Sequence, residues 1–315
     1  MQRWMMRLDA AVSSRRRWVL GAWVVVLAVA LPFSMQQSDH LSSGGFGVPG
    51  SQSQTVSSAL SSFAGVERTA LAVVVVGRAD LQELRTEAVK VRHVVGAGRP
   101  VTRSGVTLIP LRVDASDDEA SDVAVDLRKR LDVGSGGVHL AGQGALWAGL
   151  QEVSKRDLAK AEQTGFPIVL LILLGVFGSL AAAALPLALG VFSVLVTGAL
   201  IYFTSRQMEM SVFVTNMASM IGIGVAVDYS LFVLARYREE IGLGFAPAEA
   251  RARAMATSGL AVVFSGMTVI VSLAGLWMID NNAVRSMALG AILVVAVSLV
   301  ASATLLPALI GVLGP

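Results

Sequence analysis

Asp228 is an acid in a stretch that is otherwise almost wholly apolar. Between Phe166 and Ala235 only Arg206, Glu209 and Asp228 carry charge. Arg206 and Glu209 sit together at a break between apolar runs and mark a loop. Asp228 lies well inside the run Ser211–Ala235, beside Tyr229, in the string GIGVAVDYSLFVLARYREE. A carboxylate at membrane depth costs roughly 2.5–3.5 kcal/mol or more. Desolvation favours its neutral form, so it can hold a proton and release it when water or a partner arrives. One charge crossing the membrane field is worth ~2.3 kcal/mol per 100 mV, comparable to that cost. The chemistry implied is proton or cation handling. The competing reading is an acid that only ties helices together by hydrogen bonds. The transport reading requires Asp228 to be shielded from bulk solvent. Adjacent helical residues point about 100° apart, so Asp228 and Tyr229 must each reach toward a different neighbour.

Other polar residues share this depth. Thr197, Asn216, Ser219, Ser265, Thr268 and Ser272 all fall in apolar runs, and Ser265 and Ser272 share a helix face at i, i+7. Hydroxyls in membrane helices mostly join helices or bond their own backbone. Gly222 and Gly224 permit close helix approach near Asp228, or are plain packing glycines. His40, His93 and His139 have no metal-ligand spacing, so no metal site is expected. There are no cysteines, which excludes thiol chemistry. No nucleophile elbow, phosphate loop or paired carboxylates is present. The expectation is a non-enzyme without a cofactor, driven by an ion gradient and not by ATP.

The surrounding elements fit that depth. Of 315 residues 54% are hydrophobic, mean hydropathy is +0.68, and only 15% are charged, against about 25% in soluble domains. The net charge of +3 does not point to nucleic acid, because the basic excess sits in Arg3, Arg7 and Arg15–Arg17, beside the first apolar run. That run, Trp18–Phe33, is read as the first membrane span; a signal peptide ending near Ala28-Val29-Ala30 is the alternative. Five more runs follow at Phe166–Leu180, Ala182–Phe203, Ser211–Ala235, Thr257–Met278 and Ser286–Ile310. The first two of these are joined by a tight turn. Arg236, Arg238, Arg251 and Arg253 fall on the same side as the N-terminus, as the positive-inside rule asks. Pro247–Met255 is expected to be a short interfacial helix or a solvated connector on that side.

Residues 34–164 read as a separate polar domain between a first segment, 1–33, and a helical segment, 165–315. The domain opens with the loop SSGGFGVPGSQSQ. Leu71–Val76 reads as a buried strand and Asp80–Val95 as a helix capped by Asp80. Val101–Arg103 and Val106–Val113 read as a hairpin about Ser104-Gly105. Ser116–Leu131 reads as a helix with an acidic start and a basic end. Gly134–Gly137 reads as a turn and Val138–Ala141 as a last strand. The order β-α-β-β-α-β is the ferredoxin-like pattern. Gln143–Gln163 reads as a long polar helix that feeds into the membrane. The expected fold is an α-helical membrane protein of six spans with an α+β ferredoxin-like domain facing outward.

These residues resemble the MMPL branch of the resistance-nodulation-division (RND) transporters, which includes mycobacterial lipid exporters. One helix precedes a porter domain and five follow. VPGSQSQTV at 48–56 is similar to the family's segment after its first helix. FPIVLLILLGVFGSLAAAALPL at 166–187 is similar to its second helix and turn. GVAVDYSLFVLARYREE at 224–240 carries the Gly-x-x-x-Asp-Tyr motif of its fourth helix. The resemblance implies that Asp228 and Tyr229 form the proton-relay pair, with Ser265 on the next helix near it. It implies export of lipids or other hydrophobic small molecules by the proton gradient, across a bacterial plasma membrane, with the porter domain in the periplasm. The family has twelve spans in two repeats, each Asp-Tyr pair facing its counterpart. Here the counterpart is missing. The chain is therefore expected to be a fragment or truncated frame, or else a half-transporter that needs a second chain.

Two other readings share the layout. A protein-export accessory of the SecD/SecF type also has six spans and one outer domain per chain. A non-transporting sensor or scaffold similar to sterol-sensing proteins would make Asp228 structural.

Overall fold

The computed structural model describes residues 2–37, 41–42, 50–52, 55–56, 59, 71–115, 119–134 and 136–313. Most of the expected loop at 42–54 and the start of the helix expected at Ser116 lie outside the described residues. Two compact units are present. One comprises 1–41, 158–279 and 284–315; the other comprises 42–157 and 280–283.

The polar unit is built on a small antiparallel sheet. Its central strand β1 (Leu71–Val76) is β-branched almost throughout and pairs with β4 (Val106–Val113) and with β5 (Val138–Ala141). β2 (Val94–Ala97) and β3 (Val101–Arg103) both pair with β4, giving the order β2-β4-β1-β5 with β3 off that path. β4 alternates: Thr107, Ile109, Leu111 and Val113 are buried, while Val106, Leu108 and Arg112 are exposed. Such period-2 burial marks a sheet with one covered face. Val73, Val75, Ile109 and Leu111 pack there with Ala88 of α3 (Leu81–Val89) and with Val123, Ala124 and Leu127 of α4 (Glu119–Arg130).

The hairpin turns at Ser104-Gly105 as expected, with both residues in the left-handed region. Asp80 caps α3, its Oδ1 accepting from the amides of Gln82 and Glu83 at 2.9 and 3.0 Å. The helix expected to reach Val95 stops at Val89. His93 adopts φ 68°, and Val94 leaves the helix to pair with Val113. Valines spaced like a helix face are equally good strand residues, and pairing with β4 decides between them. Gly137 cannot carry a side chain: a Cβ there would sit 2.2 Å from the Val76 carbonyl oxygen.

The apolar unit holds the spans. Among the described residues six helical segments are long and apolar enough to cross a membrane. They are α2 (Arg16–Met35), α5 (Gln143–Phe177), α6 (Leu180–Ser205), α7 (Phe213–Gly242), a composite segment, and α10 (Asn282–Leu313). The composite joins α8 (Pro247–Ala254), a π turn (Met255–Gly259), α9 (Leu260–Ala274) and a 3₁₀ turn (Gly275–Met278). α5 begins in the polar unit and continues without interruption as a span, as the sequence suggests. Gly178, at φ 62°, makes the tight turn into α6.

Burial separates the spans into two groups. About half of the apolar stretch is covered in α6, α7 and α10 (50, 50 and 56%), against 11, 11 and 17% in α2, α5 and the composite segment. α6, α7 and α10 form the inside of the unit. A further helix, α1 (Gln2–Ser14), precedes the first span. The charges there do not predict it, although Met5, Asp9 and Val12 carry helical spacing.

Candidate functional site

α7 runs for 30 residues without a proline or a charge before Asp228, which sits near its middle. Gly222 is buried on this helix. A Cβ there would lie 2.3 Å from Val294 Cγ2 of α10 and 3.1 Å from Val194 Cγ2 of α6. Its missing side chain is what lets the three inner helices close. Gly224, two residues on and so about 200° around the helix, has nothing within 4 Å and is exposed. Of the two glycines expected to serve close approach, only Gly222 does so within this chain.

The same rotation separates the acid from the tyrosine. Tyr229 is 6% exposed and packs in the core of the apolar unit. Its hydroxyl lies close to Ser265 of α9 without forming a well-aligned hydrogen bond. Asp228 is exposed, in a stripe with Met220, Gly224 and Phe232 at successive i+4 positions. Ser265 is also exposed, as are Thr268 and Ser272 on the same helix. The structure thus brings Tyr229 and Ser265 together and leaves Asp228 on a face that the described residues do not cover. Shielding of Asp228 inside this bundle, required by the transport reading, is not supplied by the chain's own helices. In a bilayer that face meets lipid or another protein, and a carboxylate facing hydrocarbon is costly.

The other polar residues at depth divide by their bonds. Thr268 donates to the Phe264 carbonyl at 2.9 Å, and Ser230 to the Ala226 carbonyl at 2.7 Å; both satisfy their own helix. Thr197 is buried with no hydrogen-bond partner. Ser219 of α7 donates to Glu162 of α5. Glu162 is not among the residues expected from the sequence; its signal is a carboxylate four residues before the second apolar run. Among the described residues no group of three or more His, Asp or Glu is placed to hold a metal ion.

Six apolar helices among the described residues, with an acid midway along the fourth, define a multi-pass membrane protein, and the segment between the first and second helices carries a small antiparallel sheet. The chain belongs to the MMPL family, whose model matches residues 100–315. It is 44% identical over 330 residues to the "Heme uptake protein MmpL11" of Mycobacterium tuberculosis, covering 97% of this chain and 34% of that protein. It is 42% identical to the "Mycolic acid-containing lipids exporter MmpL11" of Mycolicibacterium smegmatis, covering 98% of this chain and 35% of that one. The chain spans about a third of the length of these relatives. Its fold is similar to the crystal structure of SecDF, a translocon-associated membrane protein from Thermus thermophilus. The TM-score is 0.55 at 15% identity, over 95% of this chain and 38% of that one.

Proposed function

We propose that this chain forms one six-helix half of a proton-driven transporter that exports lipids or other hydrophobic small molecules across the bacterial plasma membrane. Asp228 and Tyr229 are its proton relay, with Ser265 beside the tyrosine. The polar unit is a ferredoxin-like porter domain on the periplasmic side. The N-terminal arginines and the Arg236–Arg253 segment lie in the cytoplasm. Membership of the MMPL family supports the transport class. The activities for which these relatives are named, heme uptake and export of mycolic-acid-containing lipids, both concern hydrophobic cargo. Nucleic acid is not a partner in this reading, and no enzymatic step or cofactor enters it.

One observation carries the proposal. Asp228 is an exposed carboxylate midway along a span, in a stripe otherwise made of Met220, Gly224 and Phe232. A lone charge facing lipid is poor design for a static scaffold. It becomes useful when a second six-helix unit covers the stripe and brings its own polar groups. Protonation of Asp228 then switches the charge buried between the two units, and the Tyr229 hydroxyl, close to Ser265, is the second member of the relay.

Proton flux tests this. With the chain reconstituted together with a second six-helix unit in vesicles holding a pH-sensitive dye, an imposed pH gradient should drive flux that Asp228→Asn abolishes. Flux in the Asn variant equal to that of the unmodified protein removes Asp228 from the mechanism. A sensor or scaffold would instead keep ligand binding and show no flux in either protein.

A further inference from the structure

α1 presents two opposite faces with different surroundings. On one, Met5, Asp9 and Val12 are buried at i, i+4, i+7. The Arg251 guanidinium donates to Asp9 Oδ1 from Nε at 2.8 Å and to Ser13 Oγ from Nη2 at 2.7 Å. Asp9 and Arg251 are 2% and 6% exposed, and breaking such a pair leaves a buried unpaired charge. Met5 packs beside Gly259 and Met255 of the π turn. These contacts lock the rotation of α1 about its own axis.

The locked rotation decides what the other face shows. Arg3 and Arg7 lie at its centre, one turn apart, and Trp4 (59% exposed) and Met6 (43%) flank them. The helix ends at Ser14, and α2 starts at Arg16 as a span with mean hydropathy 2.1. Consecutive Cα atoms are about 3.8 Å apart, so the end of α1 is tethered to the edge of the bilayer. Arg15 and Arg17 stand at that corner, and Trp18, 82% exposed, follows in the first turn of α2. Arg16 differs: its Nη1 donates to the Gly311 carbonyl at the end of α10 at 2.6 Å. Arg3, Arg7, Arg15 and Arg17 make no ion pair among the described residues.

We propose that this face is a binding surface for anionic phospholipid headgroups in the leaflet where α2 begins. Arg3, Arg7, Arg15 and Arg17 engage the phosphates, and Trp4 and Met6 enter the acyl boundary. Four cations without an ion-pair partner among the described residues, apolar side chains on either flank and a membrane span one residue away are the chemistry of an interfacial helix. Guanidinium forks suit phosphate oxygens bidentately. The buried Asp9–Arg251 pair couples that surface to α8 and hence to the base of α9.

The test uses the chain in phosphatidylcholine vesicles with Trp18, Trp23, Trp147 and Trp277 replaced by Phe, so that Trp4 alone emits. Dibrominated phosphatidylglycerol or dibrominated phosphatidylcholine is added at the same mole fraction, and contact quenching is compared. At low salt, Trp4 should be quenched at least about twofold more by the anionic lipid, a preference that ~1 M salt removes. Arg3→Gln and Arg7→Gln should each lower that ratio toward one, and the double variant should bring the two lipids to equal quenching. Both arginines are exposed, so the variants keep the docked helix. Equal quenching by the two lipids overturns the proposal. So does absence of quenching by either, which would place water or another protein against this face.

Discussion

Asp228 and Tyr229 are neighbours in sequence and are placed in opposite surroundings by one helical step. Their pairing as residue types was legible, because a lone acid in an apolar run is conspicuous. Which of the two the chain would cover was not, since helical phase alone does not say where the other helices stand. The structure covers Tyr229 and leaves Asp228 open. At the same scale, Glu87 in the polar unit accepts from Lys90 and, at 2.9 Å, from Arg130. Lys90 first and then Arg130 hold its carboxyl below the usual carboxylate range. A folded-state value lowered in this way contributes stability that is complete above the unfolded value and lost as pH falls through the folded one. Denaturation of the polar unit, followed by Trp147 fluorescence in the whole chain with Trp4, Trp18, Trp23 and Trp277 replaced by Phe, should therefore show a small loss of stability on acidification through that window. Glu87→Gln should flatten it. The effect is small because the ion pairs are exposed and screened. An unchanged acid slope in the variant would show that other carboxylates set it.

At the scale of elements, the strands at 71–76, 101–103, 106–113 and 138–141 begin and end where β-branched runs and the Ser104-Gly105 turn put them. The errors have a common origin. The valines of the 94–97 strand suit a helix and a strand equally in the sequence, and only pairing with β4 separates them. α1 is hidden in the sequence among arginines, and its docking depends on Arg251, 242 residues away from Asp9. The glycines of α7 show the same division. Gly222 sits against Val294 and Val194, and Gly224 touches nothing. Gly222→Leu should destabilise the helical unit by about 1–3 kcal/mol, as overpacking does. Gly224→Leu should leave it nearly unchanged. Thermal melts of the two variants in the same detergent check this; equal losses would mean that the contact at Gly222 is relieved by repacking.

At the scale of the whole molecule, the chain covers about a third of its MmpL relatives and leaves one stripe of α7 without a cover. The absence of cysteine makes that stripe open to labelling. A thiol introduced as Gly224→Cys, where nothing lies within 4 Å, should react rapidly with a maleimide in detergent when the chain is alone. Expressed with a second six-helix unit that completes the transporter, it should be protected at least about tenfold, the change that ~1.4 kcal/mol of burial gives. Equal labelling in both preparations would mean that the stripe stays open to solvent or detergent and that Asp228 has no partner across it.

By itself the sequence determined what is local: six apolar runs, the acid midway along the fourth, the hairpin turn, the caps and the charge balance at the first span. Each follows from hydropathy, helical or strand periodicity, or the backbone preference of a few residues, and none needs knowledge of a distant segment. Tertiary structure decided what depends on pairing. It selected β2 as a strand, put α6, α7 and α10 inside, joined Tyr229 to Ser265, buried Asp9 against Arg251 and turned Asp228 outward. Those outcomes are set by which faces meet, and hydrophobic attraction, being non-directional, leaves the choice of faces to the close packing of side chains far apart in the chain.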